Sequence, residues 1–166
     1  MKNKCVFLDR DGVINKDKVD YVYSIEELKI FPGVKEALEQ LKKAGYLLIV
    51  ITNQSGIDRG IFTEKEVETV HNEIQKQTGS HIDEFYFSPY HRTVSKSLST
   101  KPGSLLFEKA IYKYDIDASK CWMVGDRLRD LEPAEKLGMQ TILLESEYNE
   151  THPGYMAKSL IDAVER

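Results

Sequence analysis

The chain has 166 residues, of which 41% are hydrophobic and 30% are charged. This length predicts a single domain spanning residues 1–166 and argues against separate cofactor and substrate domains. The composition excludes disordered and collagen-like proteins, because it supplies enough apolar side chains for a core. With 27 acidic and 23 basic residues, the net charge of −4 argues against nucleic acid or an anionic membrane as a partner.

Cysteine usage and hydropathy predict a cytoplasmic protein. Cys5 and Cys121 lie in or beside apolar runs, which is typical of small buried side chains in a reducing compartment. The apolar runs fall well short of the roughly 18 residues that a membrane span needs, and the run at 5–8 is too short for a signal peptide. Without a heptad pattern or a large apolar stripe, the expected state is a monomer.

Short apolar runs alternate with amphipathic stretches, a pattern typical of a parallel sheet covered by helices. Strands are predicted at 4–8, 46–51, 84–87, 121–124 and 140–144. The run at 46–51 is apolar on both faces, as expected for a central strand that has helices on each side. The pattern therefore predicts the α/β class.

Helices are predicted between these strands, at 34–44, at 64–78, at 105–114, at 129–137 and, after the last strand, at 158–164. The first ends before Gly45, and the second begins with a capping box at 63–66. Helical spacing places His71 on the apolar face of the second helix, where it is expected to pack in or beside the core. Pro133 is compatible with its helix only if it lies in the first turn, where a missing N–H is tolerated.

Two long irregular stretches, at 10–31 and 88–101, are candidates for functional loops. Asp9 and Asp11 lie where the first predicted strand ends and the first of these stretches begins. Residues two apart on an extended chain face the same side, so the two carboxylates converge where parallel sheets bind ligands. The alternative is an ordinary strand exit with solvated acids.

Polar residues also follow two other predicted strands. Residues 52–56 read Thr-Asn-Gln-Ser-Gly and offer donors suited to phosphoryl oxygens, although a polar turn would look the same. Asp126 and Asp130 share a face if their segment is helical, although Asp130 could equally serve as a first-turn acid of that helix. Lys101 precedes a helix start, and a lone loop lysine is usually solvated.

Together these segments predict a magnesium-dependent phosphoryl-transfer site. Several acids at one sheet edge would repel one another unless a cation lies among them. Carboxylate, carbonyl and water oxygens are the ligands that Mg²⁺ prefers.

The motif order Asp-x-Asp-Gly, Thr-Asn, Lys-Pro and Gly-Asp-x-x-x-Asp resembles the haloacid dehalogenase superfamily of phosphatases. More narrowly, segments 9–15, 52–57 and 59–64 resemble the branch that contains heptose 1,7-bisphosphate 7-phosphatase and histidinol-phosphate phosphatase. The resemblance covers residues 4–145. It implies a Rossmann-like three-layer α/β/α sandwich with a mainly parallel sheet. The roughly 20 residues at 11–31 leave room for a flap, so no cap domain is expected.

The resemblance also implies residue roles. Asp9 would be the nucleophile, Asp11 the general acid and base, and Thr52 and Lys101 the groups that hold the phosphoryl oxygens. Mg²⁺ would bind Asp9, the backbone carbonyl of Asp11 and Asp126, with support from Asp130. The implied substrate contacts are Asn15, Asp17, Tyr21, Asn53, Gln54, Ser55, Gly56, Arg59, Thr100 and Arg127.

This chain departs from the branch in one loop. Relatives of this kind usually carry Cys-Pro-His-His and Cys-x-Cys-Arg-Lys-Pro, whose thiolates and imidazole bind a structural zinc ion. The corresponding residues here are 88–91 (Ser-Pro-Tyr-His) and 97–102 (Ser-Leu-Ser-Thr-Lys-Pro), so no zinc is expected. Thr100 replaces the arginine that precedes the lysine. Arg92 or Lys96 could compensate, or could belong to a solvated loop.

The predicted function is hydrolysis of a small phosphate ester through an aspartyl-phosphate, with heptose 1,7-bisphosphate as the first candidate substrate and histidinol phosphate as the second. A non-hydrolytic phospho-aspartate receiver is the alternative from another class. A receiver keeps its phosphoryl group and has no use for an acid-base carboxylate at Asp11. A dehalogenase would need neither Asp11 nor Mg²⁺.

Overall fold

A computed structural model describes residues 1–165, in which one sheet lies between two layers of helices. The strands are β1 (Cys5–Leu8), β2 (Leu47–Asn53), β3 (Glu84–Ser88), β4 (Trp122–Gly125), β5 (Gln140–Leu144) and β6 (Tyr155–Ala157). The helices are α1 (Val34–Lys43), α2 (Glu64–Thr78), α3 (Leu105–Lys113), α4 (Leu128–Lys136) and α5 (Leu160–Glu165). The predicted α/β class and three-layer sandwich are confirmed.

The sheet is parallel throughout and has the strand order β3-β2-β1-β4-β5-β6. From β1 the chain builds outward to β2 and β3, then crosses back to add β4, β5 and β6 on the other side. The loops that follow β1 and β4 therefore diverge at a topological switch point, where open α/β sheets form their ligand clefts.

The alternation of side chains along β1 divides the core between the two faces of the sheet. Val6 and Leu8 pack in a cluster with residues of α1, α2 and α5. Cys5 and Phe7 pack on the opposite face with residues of α3 and α4. Both faces of a parallel sheet are buried, which explains why its central strands are apolar at successive positions.

The start of α2 matches its sequence signature. The Thr63 hydroxyl accepts a hydrogen bond from the Glu66 backbone N–H at 3.2 Å, and the Glu66 carboxylate accepts one from the Thr63 N–H at 3.1 Å. This capping box satisfies two N–H groups that the first turn leaves without partners. The helix then buries the predicted face, which includes His71.

Two features of the fold differ from the sequence analysis. Pro133 lies inside the nine-residue α4 and not in its first turn. Its ring is buried with Leu131 and Ala134, so packing against the sheet compensates for the missing N–H. The short strand β6 has no sequence signal, because three residues are too few to show a period and pairing with β5 defines them.

The segment between β1 and α1 forms a flap held by isolated bridges, Asp11 with Asn15 and Asn15 with Ile30, and contains no cap domain. Of the helices formed by residues 1–165, none is long and apolar enough to cross a bilayer.

Candidate active site

A cleft of about 1030 Å³ opens at the carboxyl ends of the strands. Its walls come from the flap and from the loops that follow β2, β3, β4 and β5. The predicted site residues in this lining are Asp9, Asp11, Asp17, Tyr21, Thr52, Asn53, Ser55, Thr100, Lys101, Asp126, Arg127 and Asp130. The other four, Asn15, Gln54, Gly56 and Arg59, lie outside the lining.

Three buried carboxylates meet at the base of the cleft. Asp9, Asp126 and Asp130 each place an oxygen within 4.8 Å of the others. The Lys101 ammonium donates to Asp9 at 3.0 Å and lies 2.7 Å from the Asp130 carboxylate. Asp130 Oδ2 also accepts from the Arg127 N–H at 3.1 Å, so this residue both caps the first turn of α4 and reaches the site.

The crowding of these carboxylates perturbs their protonation. Burial, followed by repulsion from Asp130, raises the pKa of Asp9 to about 7 although Lys101 opposes the shift. Burial and the negative charges of Asp9 and Asp130 raise the pKa of Asp126 to about 9. Burial opposes the charge on Lys101, but Asp130 and Asp9 raise its pKa above the ordinary value. The site therefore carries an excess of negative charge that one lysine does not balance.

The carboxylate oxygens at this site suit Mg²⁺ in their chemistry and in the room available around them. The three carboxylates provide hard oxygen ligands, and a divalent cation would offset their repulsion. Gly12 has a φ of +88°, and a Cβ at this position would lie 2.1 Å from the Asp126 carboxylate. The absence of a side chain at Gly12 thus leaves room for Asp126 beside the loop that begins at Asp9.

Asp11 lies at the side of this cluster and is held by three residues. Its Oδ1 accepts hydrogen bonds from Arg10 Nη2 at 3.0 Å and from Asn15 Nδ2 at 2.9 Å. Its Oδ2 accepts one from Gln54 Nε2 at 3.1 Å. Asn15 and Gln54, expected to contact substrate, are buried side chains that orient Asp11.

The last residues of β2 and the segment that follows it support the site. Thr52 is buried at the cleft, and its hydroxyl accepts a hydrogen bond from Gln54 at 2.9 Å. The Asn53 amide accepts from the Lys101 backbone N–H at 3.0 Å and donates to the Lys101 carbonyl at 3.3 Å. Asn53 therefore positions the segment that carries Lys101. Gly56 packs under the Phe62 ring, which would overlap a Cβ there.

Two residues that the sequence did not identify contact Arg127 at the cleft: Tyr148, which lines the cleft, and Glu150, which lies outside the lining. Arg127 stacks on the Tyr148 ring at 4.0 Å and pairs with Glu150 at 3.2 Å, and the Tyr148 hydroxyl donates to Asp17 at 2.8 Å. Tyr148 and Glu150 follow β5, so their position after a strand was the one signal that could have singled them out.

On the opposite wall, the Tyr21 hydroxyl lies 3.0 Å from Ser55 and accepts a hydrogen bond from Arg59 at 3.1 Å. Tyr21 has a φ of 70°, which is unusual for a side chain other than glycine. Arg59 thus contacts the flap and supports Tyr21 from outside the cleft.

The loop after β3 is held in place by a chain of hydrogen bonds between hydroxyl groups. The Ser88 hydroxyl lies 2.9 Å from that of Ser99 and 2.7 Å from that of Thr100, and the Ser97 hydroxyl lies 2.7 Å from Ser99. Arg92 and Lys96 of this loop line the cleft.

The amino-acid sequence of this chain is similar to those of a family of hydrolases and of several named phosphatases. A family model of haloacid dehalogenase-like hydrolases matches residues 3–138. The chain is 38% identical over 153 residues to D-glycero-beta-D-manno-heptose-1,7-bisphosphate 7-phosphatase of Haemophilus ducreyi, covering 87% of this chain and 84% of the relative. It is 37% identical over 150 residues to the Escherichia coli enzyme of the same name, covering 84% of this chain and 77% of that relative.

Among solved structures, a D,D-heptose 1,7-bisphosphate phosphatase from B. bronchiseptica, complexed with magnesium and phosphate, superposes with a TM-score of 0.88. The two chains are 25% identical, and the match covers 98% of this chain and 96% of the other. The clustered carboxylates, the lysine and the parallel sheet thus occur together in a chain that belongs to the haloacid dehalogenase-like hydrolase family.

Proposed function

We propose that this chain is a magnesium-dependent phosphatase that removes the 7-phosphate of D-glycero-D-manno-heptose 1,7-bisphosphate. The observation that carries the chemistry is the buried Asp9 carboxylate beside Lys101, with Asp11 two residues away at the same sheet edge. The substrate assignment is supported by relatives at 37–38% identity that bear this enzyme's name.

Asp9 is the nucleophile. One of its oxygens attacks phosphorus and forms an aspartyl-phosphate while the bond between phosphorus and the sugar oxygen breaks. The Lys101 ammonium, 3.0 Å from Asp9, holds the phosphoryl oxygens together with Thr52. Buried in the site, this cation stabilises the negative charge that develops during transfer.

Asp11 is the general acid and base. In the first step its carboxylic acid gives a proton to the departing sugar oxygen, which leaves as the alcohol. In the second step its carboxylate takes a proton from water, and the water oxygen displaces Asp9 from phosphorus, releasing phosphate. The hydrogen bonds from Arg10, Asn15 and Gln54 hold the Asp11 carboxyl in place for both transfers.

The metal ligands are Asp9, the backbone carbonyl of Asp11 and Asp126, with support from Asp130. Mg²⁺ bound there would offset the repulsion among the carboxylates and polarise the phosphoryl group. Asp17, Tyr21, Ser55, Thr100 and Arg127 line the cleft beyond the carboxylates and are the proposed substrate contacts.

A structural zinc ion is not part of this proposal. At the positions where relatives of this branch carry thiolates, the chain has the hydroxyls of Ser88, Ser97 and Ser99, which hydrogen-bond to one another. Hydroxyls of this kind do not form a tetrahedral zinc site.

We further propose one catalytic domain over residues 1–166, acting as a monomer in the cytoplasm without nucleic acid or membrane partners. The net charge of −4 supports the absence of polyanion binding. Two free, buried cysteines support a reducing compartment.

The test measures phosphate release from heptose 1,7-bisphosphate and histidinol phosphate, with Mg²⁺ or with chelator, for the wild type and Asp9→Asn. We expect preference for the heptose ester, heptose 1-phosphate as product, dependence on Mg²⁺, and a loss of at least about 10³-fold in Asp9→Asn because the nucleophile is absent. Equal, feeble turnover of both esters would overturn the heptose assignment, and activity retained by Asp9→Asn would overturn the nucleophile.

A further inference from the structure

Arg10 is the largest fully buried side chain among residues 1–165, with no exposed surface. A guanidinium removed from water must find acceptors for its N–H groups, because an unpaired buried charge is strongly unfavourable. Nε and Nη2 donate to Asp11 Oδ1 at 3.2 and 3.0 Å, and Nη2 also donates to the Val22 carbonyl at 2.8 Å. The remaining nitrogen, Nη1, lies 3.3 Å from His71 Nε2.

The direction of this last hydrogen bond follows from chemistry. Arginine has no acceptor, so His71 Nε2 must accept from Arg10, and the ring proton then resides on Nδ1. Burial and the neighbouring guanidinium lower the pKa of His71 to about 3, which keeps the ring neutral and its lone pair available.

The His71 ring is held rigidly. It is 6% exposed and stacks on Phe85 with the ring centroids 4.3 Å apart and the planes 16° apart. The Phe87 ring meets it at 66°, with the centroids 6.2 Å apart. A fixed acceptor on α2 thus meets Arg10, and Arg10 in turn contacts Asp11, which lines the cleft.

Arg10 determines how Asp11 presents its two oxygens. Oδ1 accepts hydrogen bonds from Arg10 and Asn15, whereas Oδ2 accepts one from Gln54. Oδ2 is therefore the oxygen left to exchange a proton with substrate or water. A rotation of the guanidinium would turn the Asp11 carboxyl with it.

We infer that His71 is a positioning residue of the proposed phosphatase reaction: by accepting a hydrogen bond from Arg10, it fixes the guanidinium that orients Asp11. His71 lies outside the cleft lining and touches no reacting atom. The inference rests on the proposed function, because it assigns His71 a part in the proton transfer by Asp11.

The test compares kcat/KM for two esters. A sugar phosphate needs a proton on its leaving oxygen, whereas p-nitrophenyl phosphate leaves as a stable phenolate and needs little help from Asp11. The ratio kcat/KM reports the first phosphoryl transfer, which isolates this step from the later attack of water. We expect His71→Leu to lower kcat/KM by about 10- to 100-fold with the sugar ester and by less than about threefold with the aryl ester.

Two variants separate positioning from packing. His71→Gln returns an acceptor near the Nε2 position and is expected to recover most of the sugar-ester activity. Ile74→Val trims the same buried face of α2 at an aliphatic side chain that makes no hydrogen bond to Arg10, and we expect it to leave the ratio of the two esters unchanged. Equal losses on both esters in His71→Leu, or no rescue by His71→Gln, would overturn the inference. If His71→Leu does not fold, His71→Asn serves, because its shorter side chain leaves Arg10 without the acceptor.

A readout independent of activity separates this inference from the proposed function. Nitrogen NMR of the wild-type ring at neutral pH is expected to show a protonated Nδ1 and an unprotonated Nε2. A proton on Nε2 would overturn the inference even in an active enzyme. If the wild type hydrolyses neither ester, the proposed function fails while the tautomer still tests the contact between His71 and Arg10.

Discussion

At the scale of single residues, the geometry of the site depends on how closely the loop after β1 approaches Asp126. Gly12 allows this approach, because it has a φ of +88° and its missing Cβ leaves space that the Asp126 carboxylate occupies. A methyl group there would meet a buried charged group, which has little freedom to move away. Gly12, the last residue of the first motif, is thus under both a conformational and a steric constraint.

We expect Gly12→Ala to lower the free energy of unfolding by about 1–3 kcal/mol, since the left-handed backbone is strained for alanine. Displacement of Asp126 should also weaken Mg²⁺ binding by at least about tenfold, as measured by calorimetry. Gly138→Ala is a matched control, because Gly138 has a φ of +87° but no atom within 4 Å of an added Cβ. Equal Mg²⁺ affinity in the two variants would contradict this account of Gly12.

At the scale of elements, the loop between β3 and α3 places Lys101 without any cysteine. The Ser88 hydroxyl at the end of β3 joins Ser99 and Thr100, which immediately precede the lysine. Asn53 at the end of β2 holds the Lys101 backbone from the other side. Two adjacent strand ends therefore determine where the ammonium group lies.

Purified protein is expected to contain well under one zinc ion per chain by elemental analysis. Ser88→Ala should lower the free energy of unfolding by about 1–2 kcal/mol, because it removes a buried hydroxyl that has two partners. Ser97→Ala, at the outer end of the chain of hydroxyls, should lower the free energy of unfolding by a smaller amount. Two results would contradict this view of the loop: one tightly held zinc ion per chain, or a larger loss of unfolding free energy in Ser97→Ala than in Ser88→Ala.

At the scale of the whole molecule, the negative net charge is partly concentrated at one edge of the sheet. Asp9, Asp11, Asp126 and Asp130 face two buried cations, Arg10 and Lys101. The repulsion that remains makes the metal-free fold sensitive to pH. Because the pKa of Asp9 is raised to about 7 and that of Asp126 to about 9, the folded state binds protons more tightly than the unfolded state does.

The sign of the pH dependence follows from this difference. The stabilisation from protonating these two groups is fully present below their ordinary pKa and is lost as the pH rises toward the raised values. We therefore expect the melting temperature of chelator-treated protein to fall between about pH 5.5 and about pH 8.5. Saturating Mg²⁺ should raise the melting temperature most at the alkaline end, because the metal binds the deprotonated carboxylates.

Asp126→Asn removes the carboxylate with the higher of the two raised pKa values and should flatten the pH dependence of the metal-free protein. Asp20→Asn, an exposed acid of the flap, should leave it unchanged. A melting temperature of metal-free wild type that rises over this range would contradict the prediction.

Much of the fold was predictable from local patterns. Apolar runs located β1 to β5 to within two residues, because a strand buried on both faces needs apolar side chains throughout. The capping box located the start of α2. Pro133 was misplaced because packing against the sheet outweighed its helix-breaking tendency, and β6 was missed because only its pairing with β5 defines it.

The sequence by itself determined the chemistry of this protein: which carboxylates follow which strands, that a lysine precedes Pro102, and that thiolates are missing from one loop. The tertiary structure decided which polar residues line the cleft and which hold other side chains in place. Asn15, Asn53 and Gln54 turn inward to hold Asp11 and Lys101, and His71 reaches Arg10 across 61 positions. Residue type and spacing specify which groups are available, but a hydrogen bond depends on distance and direction, which arise only when separate elements pack together.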